Sequence, residues 1–217
     1  LSKLQPADGI DWRYDVKEHQ AYLERLAAFA SRLGPVHNSL KASILHRQLV
    51  LDRSQGVFNR DRFMEYIKLP RRAVYVRPQF LKTFDRRSEE IVRLDAEYER
   101  CPVLTAIGND EPLVRSYLMH FLAEAESYDE FAEYIESNYL KRVFAETKLT
   151  LGKGDAEKCI AMLGASDYKA LLERVDIDFA WTNKETFGPE EAVTLDLHIK
   201  NVKTLIVKVY EINARNF

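Results

Sequence analysis

The chain has 217 residues, of which 46% are hydrophobic and 30% are charged, a composition typical of a soluble globular protein. With only 8 glycines and 7 prolines, it does not resemble an all-β or disordered chain, and long helices are favoured. The net charge of -2 indicates no binding to nucleic acid or to a membrane surface, and no stretch approaches the roughly 18 consecutive apolar residues of a transmembrane helix.

Helices are predicted wherever apolar residues recur at spacings of three and four between a polar N-cap and a Gly or Pro stop. Asn38, Asp61, Asp110, Asp129 and Asp155 are the N-cap residues that this pattern indicates. In chain order the predicted helices cover residues 16–33, 38–56, 61–69, 88–99, 110–126, 129–137, 137–152, 155–163 and 166–175.

Long helix, short turn and short helix follow one another about three times, a pattern typical of irregular stacked helical hairpins. A faint internal repeat supports it, since residues 38–51 share several identities with residues 138–151. Chance similarity between amphipathic helices is the alternative, because helical patterns are degenerate.

After Arg174 the apolar period changes from about 3.6 to 2, which predicts strands over residues 175–182, 192–200 and 203–213. In the first two segments apolar and polar residues alternate, as in strands with one solvent-exposed face. The third is apolar on both faces and is expected to be covered on both sides. Asn201-Val202 is predicted to be a tight turn between the last two strands.

The predicted fold class is therefore mainly α, with irregular stacked helical hairpins followed by a short C-terminal antiparallel β segment. We divide the chain into a helical domain over residues 1–173 and β strands over residues 174–217. A small one-faced sheet must lie on something, so it either packs on the helices or begins a β-sandwich. The chain starts with Leu and closes in or just after a strand, and we expect it to be a fragment.

No constellation of residues specifies a reaction. LGKGD at 151–155 lacks the spacing of a phosphate-binding loop and is better interpreted as a helix end and turn. Ser166 and Lys169 match SxxK, but the companion motifs of a serine acyltransferase are absent. Five scattered histidines and two cysteines form no metal-ligand spacing, and Cys101 and Cys159 are interpreted as buried free thiols, with a disulfide as the alternative. We therefore expect no enzymatic activity, no metal and no cofactor.

Residues 68–87 are the most uneven part of the chain in charge, with seven basic residues and one acidic residue interleaved with aromatics. This pattern can bind a single-stranded nucleic acid or another polyanion, and Arg71, Arg72, Arg77 and Lys82 are the candidate anion-binding residues. The alternative is that these cations pair with acidic residues elsewhere in the chain, which a near-neutral total charge favours.

One stretch of the β part, TNKETFGPEEAV, is similar to the entry into an MG2-type domain of α2-macroglobulin-like proteins. The resemblance covers residues 182–212 and leaves the helical part unassigned. It is carried by Thr182, Lys184, Phe187, Pro189, Glu191 and Val193. It implies an unfinished macroglobulin-like β-sandwich and an exported, periplasmic or secreted, multidomain protein.

Three functions are consistent with the sequence. The first is a non-enzymatic structural or interaction module with a protein partner, which the resemblance places in the N-terminal portion of a large exported protein. The second is a binding module for an anionic partner through the basic segment over residues 68–87. The third is an enzyme whose site is completed by missing sequence.

Overall fold

The computed structural model describes residues 15–98, 101 and 103–211. Within these ranges the chain forms eight α-helices and two short β-strands, which confirms a mainly helical fold with a short C-terminal antiparallel β segment. The helices are α1 (Val16–Ala30), α2 (Asn38–Ser54), α3 (Arg60–Lys68), α4 (Pro78–Lys82), α5 (Glu111–Leu122), α6 (Ser137–Leu151), α7 (Ala156–Leu163) and α8 (Ala165–Glu173). The strands are β1 (Asp176–Phe179) and β2 (Leu197–Lys200).

Side-chain caps fix where several helices begin. The carboxylate of Asp155 accepts a hydrogen bond of 3.0 Å from the backbone N–H of Lys158, which confirms the predicted N-cap of α7. The predicted cap Asp61 is wrong, because Asn59 takes that place and accepts from the N–H of Arg62 at 3.0 Å. Asn38 is the first residue of α2 instead of its cap, and its side chain donates to the carbonyl of Glu90 at 2.8 Å.

Two glycines at helix boundaries differ in backbone φ, and both have room for an added Cβ. Replacing each by alanine therefore tests the cost of the backbone conformation alone. Gly152 ends α6 with φ of 62°, whereas Gly34 has φ of -67°, and an added Cβ would meet nothing within 4 Å at either position. We expect Gly152→Ala to lower the free energy of unfolding by about 1 kcal/mol, because L-residues rarely adopt positive φ. Gly34→Ala should be neutral or stabilising by a few tenths of a kcal/mol. Chemical denaturation of both variants checks the difference, and equal effects would contradict it.

The helices enclose two hydrophobic cores. The larger core lies between α2, α3, α5 and α6 and contains stacked aromatic rings, such as Phe63 against Tyr117 at 5.2 Å between centroids. The smaller core joins α1 to α2 and to Cys101, Val103 and Leu104, and there the hydroxyl of Tyr22 lies 3.2 Å from Sγ of Cys101. Cys101 and Cys159 are both buried as free thiols.

Two predicted helices do not form, and both failures involve the segment over residues 70–77. The described residues 88–98 and 129–136 each contain only a single 3-10 turn, at Ser88–Glu90 and Asp129–Phe131, and Ser137 begins α6. Beyond these turns the backbone bonds to that segment, with Val92 N–H to the carbonyl of Pro70 at 2.7 Å and Glu136 N–H to that of Tyr75 at 2.8 Å. Tertiary pairing has overridden local helical preference on both sides of the segment.

The β part is smaller than predicted. β1 and β2 pair antiparallel with Ile177 opposite Ile199, but the described residues after 202 form no third strand. The expectation that residues 203–213 are covered on both faces is wrong for the described part, since Val209 is 92% exposed. Residues 212 and 213 lie outside the described ranges.

The turn predicted at Asn201-Val202 has a different role. Asn201 adopts φ of 55°, and its side-chain amide donates to the carbonyls of Leu172 at 2.5 Å and Arg174 at 2.9 Å. Because these carbonyls lie at the end of α8, Asn201 caps that helix instead of joining two strands. The end of β2 is thereby attached to the last helix.

The strand pair contacts the helices at its ends and through its loop instead of through a buried sheet face. The guanidinium of Arg53 on α2 lies 3.6 Å from the ring centroid of Trp181, just after β1. Ile177 and Phe179 remain 48% and 60% exposed, so the sheet face that carries them is not buried against the helical part. No helix in the described ranges is long and apolar enough to cross a membrane.

Candidate functional site: a buried clasp beneath a cationic segment

A single carboxylate oxygen organises the interior next to the basic segment. Oδ2 of Asp110 accepts hydrogen bonds from the hydroxyls of Tyr66 and Tyr75, both at 2.7 Å, and from Nη1 of Arg71 at 2.9 Å. The side chains of Arg71 and Asp110 are each only 1% exposed. These four residues are called the clasp here, and they join α3, the 70–77 segment and the start of α5.

The other two nitrogen atoms of the Arg71 guanidinium also have partners. Nε donates to the carbonyl of Leu69 at 3.2 Å, and Nη2 donates to the carbonyls of Tyr66 and Leu69. The guanidinium also lies 3.8 Å from the ring centroid of Tyr66. A buried guanidinium with this many hydrogen bonds is held in one geometry.

Burial sets the protonation states within the clasp. Desolvation raises the pKa of both Tyr66 and Tyr75 above its ordinary value, so both hydroxyls keep their protons and donate to Asp110. Desolvation by itself would lower the pKa of Arg71, but Tyr66, Tyr75 and Asp110 raise it overall. The clasp is therefore the ion pair of Arg71 and Asp110 with two neutral phenols, and neither phenol is poised to exchange a proton near neutral pH.

His46 on α2 lies beside the clasp, with its ring centroid 6.1 Å from that of Tyr66. Its Nδ1 and the Oδ1 of Asp110 are buried without a hydrogen-bond partner in the described part of the chain. The pKa of His46 is lowered to about 4, mainly by burial and next by the charge of Arg47. Asp110 raises this pKa, whereas Arg71 and Arg53 lower it further. The imidazole is therefore neutral in the folded protein near pH 7.

This buried imidazole predicts a loss of stability in mild acid. The unfolded chain takes up a proton on His46 near pH 6.5, whereas the folded chain resists it until about pH 4, so stability falls as the pH drops between these values. The loss is up to roughly 3 kcal/mol for a fully desolvated group. His46→Leu should remove that part of the pH dependence, measured by urea unfolding at a series of pH values. The control His198→Leu changes an exposed strand residue and should keep the wild-type slope.

The clasp determines which residues of the 70–77 segment face solvent. Arg71 and Tyr75 point into the interior, while Arg72 and Arg77 are exposed. Val74, between the two buried anchors, is 89% exposed, an unusual position for a large apolar side chain on an ordered segment. The segment therefore presents a fixed outer surface that is cationic with one apolar side chain.

The four predicted anion-binding residues divide between interior and surface. Arg71 cannot contribute to a surface site in this conformation, because its guanidinium is buried and paired with Asp110. Arg72 and Lys82 are exposed and their side chains make no ion pair or hydrogen bond within the described ranges, whereas the guanidinium of Arg77 donates to the carbonyl of Ala132 at 2.8 Å. Anion binding by the three exposed residues stays a prediction.

Two further basic residues extend this set. Lys68 at the end of α3 and Arg86 after α4 are also exposed without an ion pair in the part that the structure describes. Arg87, in contrast, pairs with Glu90 at 3.3 Å, so internal neutralisation applies to Arg71 and Arg87 but not to the others. The cationic segment is defined here as Lys68, Arg72, Arg77, Lys82 and Arg86.

An open groove lies beside the 70–77 segment. It has a volume of about 690 Å³ and runs between the start of α6 and the α7–α8 junction, with Val74 at one edge. The described residues contain no group of three or more His, Cys, Asp or Glu side chains that could hold a metal ion. These surfaces offer exposed cations, the apolar side chain of Val74 and a groove, which are features suited to contact with another molecule.

Sequence reasoning missed the clasp. Asp110 had a local interpretation as a helix N-cap, and nothing near it in the sequence indicates that it pairs with Arg71, 39 residues earlier. The apolar residues that flank the doublet Arg71-Arg72 were the only local signal that one of the two is buried.

Comparison with known proteins identifies the family of this chain. A family model described as the actin-binding protein F N-terminal domain matches residues 1–175. Actin-binding protein F of Dictyostelium discoideum is 29% identical over 220 residues, a match that spans 100% of this chain and 9% of the relative. No solved structure matched the chain.

The resemblance of residues 182–212 to a macroglobulin domain is wrong, since both matches are to actin-binding protein F and the second extends over the whole chain. The exported location that depended on it is wrong for the same reason. The motif residues instead close a local loop. The side-chain amide of Asn183 bonds both the carbonyl and the N–H of Asp196, at 2.7 and 2.8 Å, and Lys184 pairs with Glu191. Such loop chemistry is common to many unrelated strand connections.

The end of the helical part nearly coincides with the end of the matched region. Its last helix ends at Glu173, and the family match ends at residue 175. The match covers far more than half of the 217 residues. The chain therefore belongs to the family of the actin-binding protein F N-terminal domain.

Proposed function

We propose that this chain is a non-enzymatic interaction module that binds actin and that the cationic segment makes the contact. The observation that carries the proposal is membership of the family, together with a relative whose name describes actin binding. The chain corresponds to 9% of that relative, so the proposal assigns to this piece an activity named for a much longer protein. An actin partner implies an intracellular site of action.

The cationic segment is the part of the surface best suited to such a contact. Its cations lie close together in sequence, and Lys68, Arg72, Lys82 and Arg86 have no intramolecular ion pair in the described ranges. Unneutralised charges of one sign steer association with a surface of the opposite sign and raise the rate of encounter. The clasp supports this role because it fixes the backbone that carries Arg72 and Arg77.

We also propose that the helical part over residues 1–173 is the binding unit and that residues 174–217 form a separate β unit. The end of α8 at Glu173 and the end of the family match at residue 175 support this boundary. The exposed faces of the strand pair support it as well, because the helical cores do not depend on them.

Sedimentation with actin filaments tests the proposed function. The 217-residue chain is mixed with increasing filamentous actin at low and at physiological salt, and the fraction that pellets is measured. We expect saturable pelleting that weakens as salt rises, because a charged contact is screened. A chain that stays in the supernatant at every actin concentration and at both salt levels would contradict the proposal.

A general polyanion-binding module is the second candidate, and the unpaired cations favour it. Retention on heparin across a salt series, for the wild type and for Arg72→Glu with Arg77→Glu, measures this property. Retention that depends on these two residues, combined with no pelleting by actin, would favour the second candidate over the first.

A further inference from the structure

The groove beside Val74 is longer than its main cavity. A second cavity of about 200 Å³ adjoins the first one of about 690 Å³, and Arg142 and Asp167 line both. The two cavities therefore form one continuous groove along α6, with α7 and α8 as the opposite wall. It is called the α6 groove here.

The α6 groove combines an apolar stretch with charged side chains of both signs. Met162 and Leu163 at the end of α7 line it together with the exposed Val74. Lys141 on α6 and Asp167 on α8 are both exposed, and neither side chain makes an ion pair or hydrogen bond within the part of the chain that is described. An uncompensated cation and an uncompensated anion in one groove match a ligand that carries both signs.

The walls of the α6 groove are held in place before any ligand arrives. The hydroxyl of Tyr139 donates to a carboxylate oxygen of Glu111 at 2.5 Å, and Glu136 caps α6 through the N–H of Tyr139 at 2.8 Å. At the apolar edge, Val74 is fixed by Tyr75, whose hydroxyl donates to Asp110. A preformed groove avoids part of the ordering cost of binding.

We propose that the α6 groove binds an amphipathic helix from a partner protein. The helix places one large apolar side chain against Val74, Met162 and Leu163, an acidic side chain toward Lys141 and a basic one toward Asp167. This binding is separate from the proposed contact of actin with the cationic segment and does not depend on it.

A helix fits the α6 groove better than an extended peptide does. The lining elements are helices and loops, and no free strand edge lies among the lining residues. An extended peptide would leave backbone N–H and C=O groups without partners, whereas a helix satisfies its own.

The test uses a display library of 16-residue helical peptides in which apolar, acidic and basic positions are randomised. The 217-residue protein is the target, and enriched peptides are measured by fluorescence anisotropy. We expect enriched peptides to share one large apolar residue with an acid and a base at fixed helical spacing on the same face. Failure to enrich any such pattern would overturn the proposal.

Two double variants identify where the enriched peptides bind. Lys141→Glu with Asp167→Lys keeps the net charge and should weaken the enriched peptides at least tenfold while favouring peptides with the acid and base exchanged. The matched control, Lys203→Glu with Glu185→Lys, changes two exposed residues outside the groove and should leave binding unchanged. Equal binding to wild type and to the groove variant would overturn the proposal.

Actin pelleting by the same groove variant should stay at the wild-type level, so failure of the peptide proposal is distinguishable from failure of actin binding.

Discussion

Asp110→Asn is expected to lower the free energy of unfolding by about 3–5 kcal/mol, because it leaves the buried guanidinium of Arg71 without a counter-charge. The side chains have nearly the same size, so a cavity contributes little. Equilibrium unfolding in urea, followed by circular dichroism, measures the loss. The control Asp85→Asn changes an exposed aspartate and should stay within about 0.5 kcal/mol of wild type.

Replacing Arg71, the ion-pair partner of Asp110, should also destabilise the fold. Arg71→Met should cost a similar amount, while Arg72→Met at the adjacent exposed position should cost little. The double variant Arg71→Met with Asp110→Asn should lose less than the sum of the two single variants, since neither charge is then left alone. Strict additivity, or a loss below about 1 kcal/mol for Asp110→Asn, would contradict the assignment of the clasp as a buried ion pair.

Charge reversal in the cationic segment is expected to weaken actin binding about 10- to 100-fold without unfolding the protein. The variant carries Arg72→Glu, Lys82→Glu and Arg86→Glu, three exposed residues with no ion pair in the described ranges. Reversal converts steering attraction into repulsion, so the association rate should fall more than the dissociation rate rises. Sedimentation at fixed salt gives the affinity, and stopped-flow mixing gives the rate.

A control of equal net charge separates a local effect from a general one. Lys158→Glu, Lys203→Glu and Lys208→Glu change three exposed lysines outside the cationic segment. We expect this control to bind actin within about threefold of wild type, because none of the three lysines belongs to the cationic segment and salt screens charges outside a contact. Equal weakening in both triple variants would contradict a localised contact, and no weakening in either would remove the cationic segment from the site.

Local sequence patterns predicted most of the long helices. Apolar spacing and the stops at Gly34-Pro35 and Gly152 determine α1 and α6, because their caps and their buried faces are encoded within the same few turns. The fold class follows from these elements. The loop around TNKETFGPEEAV also forms a turn, with Glu191 N–H bonded to the carbonyl of Gly188 at 3.1 Å.

Long-range pairing explains what the sequence did not predict. Residues 88–99 and 129–137 have helical patterns, but each bonds to the 70–77 segment, a choice that depends on residues far away in sequence. The sequence allowed the cations of the basic segment to pair with acidic residues elsewhere, but it did not identify Asp110 as the partner of Arg71, since only the folded chain brings the two together. The basic segment of the candidate site was therefore predictable from the sequence, but the buried clasp that fixes its backbone was not.

The β segment was misinterpreted because its pattern has several origins. Alternating apolar residues and a proline turn occur in many strand pairs, so the similarity to a macroglobulin domain reflected shared turn chemistry and not shared ancestry. The third predicted strand failed because alternation records only where apolar residues lie. The alternation does not show whether another layer of structure covers these residues. No such layer covers Val209 in the described part of the chain, where it is 92% exposed.

Hydrogen exchange of the 217-residue chain, with and without filamentous actin, tests the central claim most directly. Amide protection is measured along the chain by mass spectrometry at saturating actin. The account predicts added protection concentrated in the exposed amides over residues 68–87, with little change in the strand pair at Asp176–Phe179 and Leu197–Lys200. Protection elsewhere with residues 68–87 unchanged would contradict the claim that the cationic segment is the actin-binding surface.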